Sequence, residues 1–100
     1  MGVSVPCKKC GAELGPFARR KAFIALSVMG DEEVRSWYFC EACRCWTIEF
    51  LDDKFLGDTT VSVAGPYPEG SCEADVALAL TCPQPGDKWC DCAAHTKLGC

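Results

Sequence analysis

Ten of the 100 residues are cysteine, and four of them form two Cys-x-x-Cys pairs, Cys7 with Cys10 and Cys40 with Cys43. No other feature narrows the fold as much. A chain of this length buries a limited share of its surface, so its apolar core leaves a small margin of stability. Thiols in such number supply the missing constraint, either as disulfides or as metal ligands. The redox compartment decides which. The first residues, Met1-Gly2-Val3-Ser4-Val5-Pro6, lack the charged and apolar regions of a secretory signal. Pro6 also stands where a myristoylation pattern requires Ser or Thr. The apolar run at residues 22–29 is interrupted by Ser27 and is far too short to cross a bilayer. The expectation is a cytoplasmic protein with no membrane partner, in a reducing compartment where thiolate–metal bonds prevail over disulfides.

In each Cys-x-x-Cys pair, the two intervening residues let one tight turn aim both sulfurs at a single ion. The amides of that turn can donate hydrogen bonds to the thiolates. Between the pairs, residues 22–29 are rich in strand formers and end at Gly30-Asp31, and residues 34–39 read as a returning strand. The predicted hairpin carries the two pairs toward each other. Cys7, Cys10, Cys40 and Cys43 are therefore the expected ligands of a first, tetrahedral site.

Two such knuckles joined by antiparallel strands resemble the zinc-ribbon and rubredoxin-like group of metal-binding proteins, over residues 5–48. The resemblance implies that the four cysteines clamp one metal ion, and Gly11 matches the small residue that follows the first pair in these knuckles. The second knuckle departs from the pattern, with Glu41 and Arg44 where rubredoxins have Pro and Gly. The intervening segment is a basic and apolar hairpin instead of an acidic loop rich in Gly and Pro. Structural zinc is favoured on these grounds, with iron at the first site as the alternative.

Cys45, Cys72, Cys82, Cys90, Cys92, Cys100 and the single histidine, His95, remain. Cys90-x-Cys92-x-x-His95 is compact, and Cys82 lies just upstream across a Pro-Gln-Pro-Gly loop. Cys82, Cys90, Cys92 and His95 make a three-cysteine, one-histidine set, an ordinary structural zinc arrangement, with Cys72 or Cys100 as the replacement for His95. Cys45 is either a buried thiol beside Trp46 or an extra ligand, because a disulfide to Cys43 would be strained. The regularly spaced cysteine run of ferredoxins is absent, so an iron–sulfur cluster is not expected. Asp87 and Asp91 read as solvated charges. Two zinc ions are the expected cofactors.

Residues 46–50 alternate apolar and polar, the signature of a half-buried strand, and residues 59–64 supply one more strand. Residues 65–70 (Gly-Pro-Tyr-Pro-Glu-Gly) read as a linker. Ser71 is the expected N-cap of a helix over residues 74–80, with Glu73 and Asp75 in its first turn and Pro83 preventing its continuation. The fold class that follows is a small, metal-stabilised α+β protein. Residues 1–64 form a zinc-ribbon-like unit of antiparallel strands, and residues 65–100 carry the helix and a metal-bound tail, within one compact whole.

Charge is uneven, since residues 46–100 hold three basic against nine acidic side chains. Such a half repels phosphate backbones and favours solubility or a basic partner. Lys8, Lys9, Arg19, Arg20 and Lys21 flank the first knuckle and keep a nucleic-acid-binding ribbon as an alternative, disfavoured against a solvated face that balances Asp31, Glu32 and Glu33. No HExxH, no Gly-rich phosphate loop and no His-x-Glu with Pro-Cys-x-x-Cys is present, and a ligating His95 leaves no histidine to act as a base. An enzyme is not expected. The reading is a structural-zinc protein serving as a protein–protein interaction or accessory module, against iron electron transfer or metal handling. Colour separates these: the purified protein should be colourless with stoichiometric zinc, whereas a red protein with visible charge-transfer bands would carry iron.

Overall fold

The computed structural model describes residues 5–15, 20–28, 31–53, 57 and 59–98. Its centre is a four-stranded antiparallel sheet in which each strand pairs with the next in sequence. The strands are β3 (Ala22–Val28), β4 (Asp31–Cys40), β5 (Cys45–Asp53) and β6 (Thr59–Pro68). They are preceded by a small two-stranded sheet of β1 (Val5–Pro6) and β2 (Glu13–Gly15), and followed by helices α1 (Glu73–Leu80) and α2 (Ala93–Leu98). The α+β class inferred above is the observed one, and no helix among the described residues is long and apolar enough to cross a membrane.

Alternation along the strands gives the sheet two different faces. Ala22, Ile24 and Leu26 of β3, Trp37 of β4 and Trp46 of β5 share one buried cluster with Val76 and Ala79 of α1, Ala94 of α2, and Cys72 and Cys82. Register explains the grouping, because Trp37 lies opposite both Ala22 and Ile48, and Phe39 opposite Trp46. Trp46 also reaches the helix layer by polar contact, its indole N–H donating to the Glu73 carboxylate at 3.0 Å. Each large side chain buried here contributes about 1.5–3 kcal/mol.

The opposite face holds Ser36, Tyr38, Thr47 and Glu49, all buried. The N-terminal knuckle lies over it, with the Lys8 amide donating to Thr47 Oγ1 at 3.2 Å. Cys40 and Cys45 continue the Tyr38 and Thr47 rows of side chains. They sit directly opposite one another across the β4–β5 hairpin.

Several elements differ from the sequence reading. The returning strand starts at Asp31, so the residue expected in the turn already pairs with Val28, while Gly30 is outside the described residues. The segment read as a linker continues β6 to Pro68. Its glycine and prolines mark a register irregularity between Trp46 and Ile48, where Gly65 adopts φ +138°. A Cβ on Gly65 would come within 2.9 Å of the Trp46 carbonyl oxygen, so the bulge requires glycine. The helix N-cap is Cys72, without a side-chain capping bond, and Ser71 instead donates its hydroxyl to the Pro68 carbonyl. The tail forms a second helix that the sequence did not announce.

Tyr38 generates a test. Its hydroxyl is buried with no hydrogen-bond partner among the described residues, and burial first, then the Glu49 charge, push its pKa up to about 12 from an ordinary 10.0. Below pH 10 the tyrosine is protonated in folded and unfolded chains alike. Between these two values the unfolded chain ionises first, so stability falls as pH rises. Tyr38→Phe should match or exceed the wild type by about 1 kcal/mol in denaturant unfolding at neutral pH, because an unsatisfied buried hydroxyl is removed. It should also lose that alkaline component.

Candidate metal centres

The first centre is built by two tight turns facing each other. In the N-terminal turn the Gly11 amide donates to the Cys7 carbonyl at 2.8 Å and the Cys7 amide to the Ala12 carbonyl at 2.7 Å. These bonds fold Cys7 and Cys10 to the same side. The β4–β5 hairpin loop supplies Cys40 and Cys43. All four sulfurs lie within 4.8 Å of one another, with Cys10 and Cys40 Sγ 3.9 Å apart. A tetrahedron with metal–sulfur bonds of about 2.3 Å has edges of about 3.8 Å, so this spacing is that of a four-thiolate shell.

The residue after the second cysteine of each turn is left-handed, Gly11 with φ +79° and Arg44 with φ +54°. The departure at Arg44 therefore leaves the knuckle backbone unchanged. A non-glycine residue there costs about 1–2 kcal/mol. Glu69 offsets part of it: its carboxylate accepts from Arg44 Nε at 2.9 Å and from NH2 at 2.6 Å, and its amide donates to the Arg44 carbonyl. The end of β6 is thereby fastened to the second knuckle.

The second centre joins the C-terminus of α1 to α2. The Cys82 amide donates to the Ala79 carbonyl, the Cys90 amide to that of Asp87, and the Thr96 amide to that of Cys92. His95 follows Cys92 by one helical turn. The ligand atoms of Cys82, Cys90, Cys92 and His95 again lie within 4.8 Å of one another. Cys82 and Cys90 Sγ are 3.8 Å apart, and His95 Nδ1 is 3.3 Å from both Cys82 and Cys92 Sγ. His95 Nε2 lies 2.8 Å from the Ala25 carbonyl oxygen. A carbonyl only accepts, so Nε2 carries the proton, which leaves Nδ1 as the ring atom that would face a metal. The Ala25 amide in turn donates to the Pro85 carbonyl at 2.7 Å. One residue of β3 thus holds both the ligand histidine and the loop between ligands.

The thiols within each cluster differ in acidity. Burial disfavours the Cys7 thiolate, but the backbone amides of Cys10 and Lys9 outweigh it and bring its pKa down to about 6. The Cys43 thiol is pushed up by its neighbours, Cys10 first. At the second centre the His95 side chain and amide bring Cys92 down to about 6, while burial raises Cys82 to about 11. The pKa values of Cys7 and Cys92 are thus lowered while those of Cys43 and Cys82 are raised, and a cation at either cluster would offset the charge of thiolates held so close.

The remaining candidates separate clearly. Cys72 is buried in the helix-side core, its nearest polar neighbour being the Ser71 hydroxyl, and it belongs to neither cluster. The structure places His95, and not Cys72, with Cys82, Cys90 and Cys92. Cys100 and Arg19 lie outside the described residues. Asp87 accepts from the Trp89 amide at 3.0 Å and so shapes the loop, while Asp91 is exposed. Arg20 turns inward, its guanidinium 3.6 Å from the Phe23 ring centroid and donating to Ser36 Oγ. Cys45, left open by the sequence, has its sulfur 3.8 Å from that of Cys7.

His95 allows a two-variant test. His95→Ala should remove the second metal and free the tail, read as loss of one ion by mass spectrometry and faster proteolysis beyond residue 81. His95→Cys should keep the ion yet unfold more easily by about 1–3 kcal/mol, since the buried Ala25 carbonyl loses its partner.

Comparison with protein-family models, with curated proteins and with solved structures gives no match. The two clusters are consistent with zinc-ribbon-like groups and establish two sites able to hold metal ions.

Proposed function

We propose that this chain is a two-zinc structural protein of the cytoplasm that works as a protein–protein interaction or accessory module. Cys7, Cys10, Cys40 and Cys43 hold one ion, and Cys82, Cys90, Cys92 and His95 the other. The observation that carries the reading is that each cluster offers four protein ligand atoms at tetrahedral spacing. A catalytic zinc keeps a position for water, whereas a four-ligand shell is closed and serves the fold. The three-sulfur, one-nitrogen set favours zinc over an iron electron-transfer role for the molecule as a whole.

Magnitude supports a structural role. Structural zinc in small peptides binds with roughly 10–16 kcal/mol, comparable to the total stability of a domain. Here the first centre would fix the hairpin end of the sheet and the second would fix the tail against β3, alongside the packing of Ala94 and Leu98 on the core. Support for a protein partner comes from the surface. Trp89, next to ligand Cys90, is 71% exposed and Leu80 is 65% exposed. Aromatic anchors presented on rigid loops are the usual centres of protein interfaces. The inward turn of Arg20 draws one cation out of the basic set that would otherwise favour nucleic acid.

Native mass spectrometry with elemental analysis should find two zinc ions per chain. A strong chelator should remove them together with the native circular dichroism spectrum. A chain that stays folded with no metal, or that carries iron, would overturn the proposal.

A further inference from the structure

A mononuclear tetrahedral site needs four ligands, and a fifth thiol, Cys45, stands beside Cys7 outside the four that lie within 4.8 Å of one another. Cys45 is buried in one cluster with Cys7 and Cys40, and ligand Cys43 packs against it. Its sulfur stands 3.8 Å from Cys7 Sγ, the edge length of a thiolate tetrahedron and close to the 3.9 Å between ligands Cys10 and Cys40. In the β4–β5 register Cys45 is the direct partner of Cys40. Directly opposed strand residues project to the same face with Cβ atoms about 4.5–5.5 Å apart, so the two thiols approach the metal position from the same side. An open groove lined by Lys9, Cys43, Arg44, Cys45, Pro66 and Pro68 runs beside them.

We propose that Cys45 is a reserve ligand of the first centre, able to replace Cys40 in a four-thiolate shell. The inference rests on the reading of that centre as a metal site. When Cys40 is lost, the metal keeps Cys7, Cys10 and Cys43 and forms its fourth bond to Cys45 Sγ. The Cys45 thiol proton leaves to solvent through the groove as that bond forms, so the shell recovers the same charge. Cys72, the other thiol outside the clusters among the described residues, has no such arrangement: it is packed among apolar side chains on the helix side of the sheet.

The test compares the full wild-type chain with Cys45→Ser, Cys40→Ser and the double variant, each loaded with zinc alone. Zinc is counted by native mass spectrometry and its sulfur ligands by X-ray absorption. Two ions with seven sulfur ligands in total are expected for the wild type, matching the seven cysteines of the two clusters. Cys45→Ser and Cys40→Ser should each retain both ions and that sulfur count. The double variant should lose one sulfur ligand or the first ion. A Cys40→Ser chain that already lacks the sulfur, loses the ion or fails to fold with zinc would overturn the proposal, as would a double variant identical to Cys40→Ser. A wild type without two bound ions would instead refute the underlying metal reading.

Discussion

The structure turns on concentrating like ligands. Eight donor atoms converge in two groups of four, each group within 4.8 Å. Thiolates so close repel one another, and neutral thiols so placed make only weak hydrogen bonds. A cation reverses both penalties at once, which is why the same arrangement that is unfavourable when empty becomes the firmest contact of a metal-loaded chain. The split acidities within each set express this, with Cys7 and Cys92 drawn down to about 6 while burial holds Cys82 up at about 11.

The sheet makes the two centres parts of one object. The first caps the polar face at the β4–β5 end, where Cys40 and Cys45 extend the rows of Tyr38 and Thr47. The second closes the helix-side core through Cys82 and Ala94, which pack with Ile24, Leu26 and Trp37. Ala25 couples the second centre to the backbone of β3, accepting from His95 and donating to Pro85. The same contacts cover this edge of the sheet with the tail at Ala25. Arg44 and Glu69 fasten the other edge strand to the second knuckle. Cysteine cluster, hydrogen bond and ion pair thus act at the ends and edges of the sheet.

Buried polar groups show what this economy costs. Tyr38 and Glu49 are enclosed under the N-terminal knuckle, and burial pushes both pKa values up. A larger protein could fill such a face with apolar side chains. Here the covering layer is a metal knuckle whose own backbone needs partners, such as the bond from the Lys8 amide to Thr47. Polar residues on that face are therefore a consequence of what lies over it.

Local chemistry was legible in the sequence, and geometry between distant segments was not. Close cysteine spacing announced the pairs Cys7–Cys10 and Cys40–Cys43 and the run Cys90–Cys92–His95, because two or three positions of separation fix the reach of a side chain whatever the surrounding fold, and the structure brings the expected sets together. Alternation announced β5, and strand-rich composition announced β3 and the core of β4, because burial on one face of a strand leaves a period in the chain. Residues 65–68 misled because Gly and Pro signal a break equally well when they build a bulge in an edge strand, and only pairing with β5 tells the two apart. The helix cap misled because Ser71 had a competing acceptor in Pro68, brought near by a turn the sequence does not specify. The inward course of Arg20, the bond from His95 to Ala25 and the place of Cys45 beside Cys7 were decided by tertiary structure alone. Each joins residues at least 16 positions apart, and no local preference records which far segment a side chain will meet.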